Sequence, residues 1–156
     1  MGALIAVMMA ASTNAHSAPA PVARASIVLV HGALIDGSSW RGVYDVLTRD
    51  GYRVGIAQPP LSGLADDVAA TRRVIDQQEG PVVLVGNSYG GSIISVAGED
   101  ARVKALVYVA ALQPDVGETS AEAAPPGKQA AGTLRTTQDG YIFLDPARCR
   151  SELGSD

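Results

Sequence analysis

Cysteine is nearly missing from this chain of 156 residues: Cys149 stands alone, which excludes an internal disulfide framework. It also leaves no Cys/His set with metal-ligand spacing, so neither a metal nor another cofactor is expected. Histidine is almost as scarce, with His16 and His31 only, and none beyond position 31. Long apolar runs are lacking too. The N-terminal run from Ala3 to Ala11 falls well short of the roughly 20 residues a helix needs to cross a bilayer, so no membrane anchor is expected. Basic residues are few and scattered, 12 Lys and Arg against 16 Asp and Glu for a net charge of −4. That distribution carries no nucleic-acid footprint.

What is present describes a globular α/β chain of one domain at most. Apolar residues make up 47% and charged residues 18%, a balance that argues against disorder over most of the length. Residues 1–20 stand apart as a secretory signal, a short apolar run followed by small polar residues, with Ala18-Pro19-Ala20 matching the A-x-A cleavage spacing. Cleavage after Ala15 or Ser17 would also leave a small residue at the scissile bond. No Lys or Arg precedes Arg24, so the positive charge of such a signal rests on the amino terminus alone. The expected location is secreted or periplasmic, or cytoplasmic if the signal does not function.

Residues 21–112 read as the core. Ser26 to Gly32 is a β-branched run suited to a buried parallel strand. Ser38 is placed to cap a helix carrying Trp40, Val43, Tyr44 and Leu47 on one side, with Gly51 as its stop. Arg53 to Ala57 is the second strand, ended by Pro59 and Pro60. Leu64, Val68, Thr71 and Ile75 recur at helical spacing, with Asp66 and Asp67 in the first turn, where the helix macrodipole favours acid. A third strand over Pro81 to Val85, a helix-competent run from Ser92 to Ala97 and a fourth strand from Val103 to Ala110 complete the alternation. It predicts a parallel sheet with helices on both faces, a three-layer α/β sandwich. Residues 113–156 read as a lid-like connection and a divergent tail, with a short strand-like patch at Tyr141 to Leu144.

Ser88 is where the chemistry points. Gly86-Asn87-Ser88-Tyr89-Gly90-Gly91 joins a strand directly to a helix in G-x-S-x-G spacing. A serine on such a strained turn projects its hydroxyl above the sheet, and the flanking glycines let neighbouring backbones pass without a Cβ clash. The helix that follows points its positive end at a developing oxyanion. A plain glycine turn would share the spacing; the strand before it and the helix after it favour a nucleophile.

The segments IVLVHGALIDGSSW, GPVVLVGNSYGG and VKALVYVAALQPDVGE together resemble the small α/β-hydrolases, in their esterase and hydroxynitrile-lyase-like branch, from about Ser26 to Pro146. LADDVAATRRVI is similar to the helix that this branch places before its elbow. The resemblance implies the N-terminal half of that fold, with its strands ordered second, first, third, fourth. It also implies Ser88 as nucleophile toward a small-molecule ester. The backbone N–H groups of Ala33 and Tyr89 would form the oxyanion hole, and His31, Gly32, Gly86 and Gly90 would support the motif.

Asn87 departs mildly from the branch, which usually has histidine there. A larger departure is that the family's triad acid and histidine, which follow the serine in chain order, have no counterpart here. A histidine in the place of His31 is usually a structural partner, and His16 falls in the expected signal. Asp100, Asp115, Asp139 and Asp145 read as solvated loop carboxylates, since none follows a new core strand. With no apolar pattern after Cys149, the expectation is a truncated or frameshifted version of a longer protein, a naturally frayed C-terminus being the alternative.

Three functions stay open: ester hydrolysis through Ser88, a non-catalytic remnant or binding module without a proton shuttle, and cyanohydrin lyase chemistry on the same elbow. The fourth strand, guarded by Lys104 alone, would then be an exposed edge through which the chain self-associates.

Overall fold

Val28, Leu29 and Val30 are consecutive and all fully buried in the strand Ser26–Val30 (β1). Successive side chains of a strand point to opposite faces, so burial of all three requires cover on both sides of the sheet. The computed structural model, which describes residues 24–124 and 134–148, supplies that cover. The signal-like segment and the tail from 149 onward lie outside the described residues. Val54–Ala57 (β2), Val82–Ser88 (β3) and Val103–Ala111 (β4) complete a four-stranded sheet in the order β2-β1-β3-β4, every pair parallel. This is the expected order. Chain direction across the sheet reverses between β1 and β3, and in open α/β sheets ligands bind outside the carboxyl ends of the strands at such a switch point.

The helices are Arg41–Arg49 (α1), Leu64–Asp76 (α2) and Gly90–Ala97 (α3). Val28, Val30, Val82 and Leu84 on the sheet meet Val68 and Ile75 of α2 and Ile93, Ile94 and Ala97 of α3 in one apolar cluster. Leu64 belongs to the same helical stripe but opens α2 and stays exposed. Trp40 is buried as its spacing suggested, whereas Val43 is exposed and α1 buries no residue fully.

The expected cap at Ser38 is corrected to Asp36. A 3₁₀ turn, Gly37–Trp40, precedes α1, so the start of helical winding moves upstream, and Asp36 Oδ1 accepts the Ser38 N–H at 2.7 Å. The Ser38 side chain first, and its backbone N–H with it, hold the Asp36 carboxyl below its usual range. Gly51 does end α1, at φ +82°, where Ala or larger would be strained.

Leu134–Thr136 (β5) and Ile142–Leu144 (β6) form an antiparallel hairpin. The second strand was expected and the first was not. Two carboxylates read as solvated are instead paired. Asp145 is only 8% exposed and its Oδ2 accepts from Arg135 Nε at 2.9 Å and from the guanidinium's terminal nitrogen at 2.5 Å. Asp100 Oδ1 accepts from the Arg102 backbone N–H at 2.9 Å and from Nε at 3.1 Å. The arginine in each case holds the carboxyl below the ordinary carboxylate range.

Among the described residues β4 is an edge of the sheet, and Val107 and Val109 are 42% and 41% exposed along it. Lys104, the one charge on the strand, directs Nζ to the Ala101 carbonyl at 2.6 Å. Unpaired, uncharged edges recruit further strands. Wild type is therefore expected to self-associate at micromolar concentration, and Val107→Lys or Val109→Lys to raise the monomer fraction in size-exclusion chromatography. A wild-type chain that elutes as a stable monomer contradicts this.

Candidate active site

Ser88 is the last residue of β3, exposed, and holds φ at +52°. Positive φ costs a non-glycine residue on the order of 1 kcal/mol or more, so the surroundings must impose it. They do so from β4. Asn87 Nδ2 donates to the Val109 carbonyl at 2.8 Å, and the Leu112 N–H donates to the Ser88 carbonyl at 2.9 Å. Asn87 pairs with Val109 but Ser88 pairs with Ala111, so β4 bulges at Ala110, itself at φ +44°. The bulge is what lets the serine turn out of the sheet. Asn87 therefore ties the elbow to β4, a role that its side-chain amide fills.

The glycines are required by close backbone approach. A Cβ on Gly86 would lie 2.6 Å from the Gly90 carbonyl oxygen, and one on Gly32 would lie 3.0 Å from Ser88 Cβ. The second contact shows that the turn leaving β1 lies directly against the elbow. Ser88, Tyr89, His31, Gly32 and Ala33 thus meet at the carboxyl ends of β1 and β3, the switch point of the sheet. Among the described residues the Ser88 hydroxyl makes no hydrogen bond. Neither does the backbone N–H of Ala33 nor that of Tyr89.

His31 is 2% exposed and its Nδ1 lies 2.8 Å from the Gly32 carbonyl oxygen. A carbonyl can only accept, so Nδ1 carries the proton and donates it. Nε2 is enclosed and has no partner. The ring stiffens the turn below Ala33 and makes no bond to Ser88.

Beside the elbow opens a cavity of about 660 Å³ lined by Ala33, Leu34, Leu61, Tyr89, Tyr141 and Ile142 among others. Ser88 adjoins it through Tyr89 and is not itself among the lining residues. The hairpin β5–β6 supplies the far wall. One lining residue that sequence reasoning missed is Asp67, fully buried, with Oδ2 accepting from the Tyr89 hydroxyl at 2.8 Å and Oδ1 from the Leu61 N–H at 2.7 Å. Burial, with the hydrogen bond to Asp67, pushes the Tyr89 phenol well above its usual range. The available signal was position: Asp67 lies one turn before Thr71 on the stripe that α2 buries, where a carboxylate needs partners. No group of three His, Cys, Asp or Glu able to hold a metal occurs among the described residues.

Residues 27–154 match the family described as Alpha/beta hydrolase. A pyrethroid hydrolase of Sphingobium wenxiniae is 33% identical over 122 residues, 69% of this chain and 43% of that protein. A carbendazim hydrolyzing esterase of Nocardioides sp. is 36% identical over 109 residues, 61% of this chain and 45% of its own length. The chain spans less than half the length of these two relatives. The crystal structure of a pyrethroid hydrolase from Sphingobium faniae superposes with a TM-score of 0.68 at 26% identity, over 81% of this chain and 59% of that one. Tomato methylketone synthase I, at 18% identity and a TM-score of 0.65 over 83% of this chain and 60% of its own, shares the fold.

Proposed function

This chain belongs to the alpha/beta hydrolase family, and from that premise we propose that it carries the nucleophile and oxyanion hole of a carboxylic-ester hydrolase, with Ser88 as the acyl acceptor. One observation supports the residue assignment above the others. An exposed serine hydroxyl and two backbone N–H groups, all three without partners among the described residues, sit together at one mouth of the fold. A serine hydroxyl set beside two backbone donors at a cavity mouth is the arrangement that acyl transfer uses. The apolar lining at Leu34, Leu61, Tyr141 and Ile142, together with relatives named for hydrolysing a pyrethroid and carbendazim, supports an ester with apolar groups.

In the first step Ser88 Oγ bonds to the ester carbon, the carbonyl π pair moves to oxygen, and the hydroxyl proton passes to a base. The N–H groups of Ala33 and Tyr89 receive the oxyanion. Collapse breaks the bond to the alcohol, which departs with the proton, and water then releases the acid from the acyl-serine by the same course. The base is not hydrogen-bonded to Ser88 among the described residues. That observation favours a second reading, a module that binds the ester and holds the nucleophile without turning it over.

Phenylboronic acid tests the serine and its donors without requiring a base. Boron accepts the Oγ lone pair, the hydroxyl proton leaves to solvent, and a tetrahedral anion stands where the oxyanion would. Boron NMR is expected to show a tetrahedral signal with wild type, and binding at least about tenfold weaker with Ser88→Ala. A tetrahedral signal that survives Ser88→Ala unchanged contradicts the assignment.

A further inference from the structure

We propose that Asp67 is a positioning residue, whose buried carboxylate clamps the Tyr89 phenol to the backbone of Leu61 and so fixes the oxyanion-forming turn against the loop that walls the cavity. The inference rests on the reading of Ser88 and Tyr89 given above.

Both carboxylate oxygens of Asp67 are committed, Oδ1 to the Leu61 N–H and Oδ2 to the Tyr89 hydroxyl, and the side chain is fully buried. No lysine or arginine pairs with it among the described residues. A buried anion without a cation is retained only where its hydrogen bonds are made well. Here the two bonds join segments far apart in the chain. Leu61 follows β2 at φ +59°, a conformation that its bond to Asp67 helps to hold. Tyr89 follows the nucleophile, and the peptide linking Ser88 to Tyr89 carries one of the two oxyanion donors. Fixing the Tyr89 ring at its far end restricts rotation of that peptide. Sites of this kind tolerate misplacement of only about 0.5 Å or about 10–20°. Leu61, Asp67 and Tyr89 all line the same cavity, so a single carboxylate sets the spacing between the donor turn and the wall facing it.

The test is a boronate titration of wild type, Asp67→Asn, Tyr89→Phe and the double variant, with thermal melts alongside. Each single variant is expected to weaken phenylboronic acid about tenfold, and the double variant to bind no worse than the weaker single one, since both changes break one unit. Tyr89→Phe keeps the ring and removes one oxygen, so it should lose affinity while still melting cooperatively. It decides the question alone if Asp67→Asn does not fold. Additive losses, or full affinity in Tyr89→Phe, overturn the clamp. The tyrosinate absorbance gives a readout independent of Ser88. Tyr89 should ionise above the ordinary tyrosine range in wild type, and its ionisation should move down toward that range in Asp67→Asn, with burial retaining part of the rise. If wild type forms no boronate adduct, the reading of Ser88 fails and this comparison judges the contact by itself. A Tyr89 phenol whose ionisation does not move between wild type and Asp67→Asn then overturns the clamp as well.

Discussion

The chain is expected to hydrolyse an activated acetate ester no faster than its Ser88→Ala variant does. A serine hydroxyl is a weak nucleophile at neutral pH until a neighbouring group takes its proton. His31, the one histidine among the described residues, directs Nδ1 to the Gly32 carbonyl and encloses Nε2, so neither nitrogen serves Ser88. Loss of one triad member in a well-studied serine hydrolase lowers turnover by up to about a millionfold. The remaining rate, about 10³ to 10⁴ over water, comes from binding and the oxyanion hole and does not need the serine. Wild type and Ser88→Ala would share that remainder, which is why equality is expected and not mere slowness. A wild type that clearly outruns Ser88→Ala would mean that a base reaches the hydroxyl, and His31→Ala would then show whether the imidazole supplies it.

Gly90→Ala is expected to cost about 3 kcal/mol or more and to leave little folded chain. A Cβ on Gly90 would stand 2.6 Å from the Val30 carbonyl oxygen and 2.8 Å from that of His31. Both belong to the backbone of β1 and the turn leaving it, the most enclosed part of the sheet, so no flexible side chain can yield. Gly91 is similarly confined by the Leu112 carbonyl. Gly42→Ala on α1 is the matched control, because a Cβ there meets nothing within 4 Å and alanine favours a helix. Urea midpoints of the two variants should therefore fall on opposite sides of wild type or nearly so. A Gly90→Ala chain that unfolds at the wild-type midpoint would show that α3 can move away from β1, and the close packing of the elbow would not be essential.

The sheet and the elbow were legible in the sequence because both are written in neighbouring residues. The run Val28-Leu29-Val30 needs no distant partner to declare a buried strand, and Gly86 to Gly91 between an apolar run and a helix declares its own turn. Contacts between distant residues were not legible. The Asp67–Tyr89 bond joins positions 22 apart, and the Arg135–Asp145 pair joins positions 10 apart, so nothing in either local stretch announces the partner. Asp67 was read as a first-turn acid favoured by the helix dipole, which is true of its position and silent on its burial. Ser38 was a sound cap by residue type. Asp36 displaced it because the 3₁₀ turn begins two residues earlier, at Gly37, where a side chain would crowd Ile56 and Gln58 across the fold, contacts that no local stretch of sequence announces.

The most direct measurement is a crystal structure of the chain soaked with phenylboronic acid. Boron should be tetrahedral and bonded to Ser88 Oγ, with one of its oxygens about 2.7–3.1 Å from the backbone nitrogens of both Ala33 and Tyr89. Boron bonded at another residue, or an adduct on Ser88 whose oxygens turn away from those two nitrogens, would contradict the assignment of this turn as a nucleophile with its oxyanion hole.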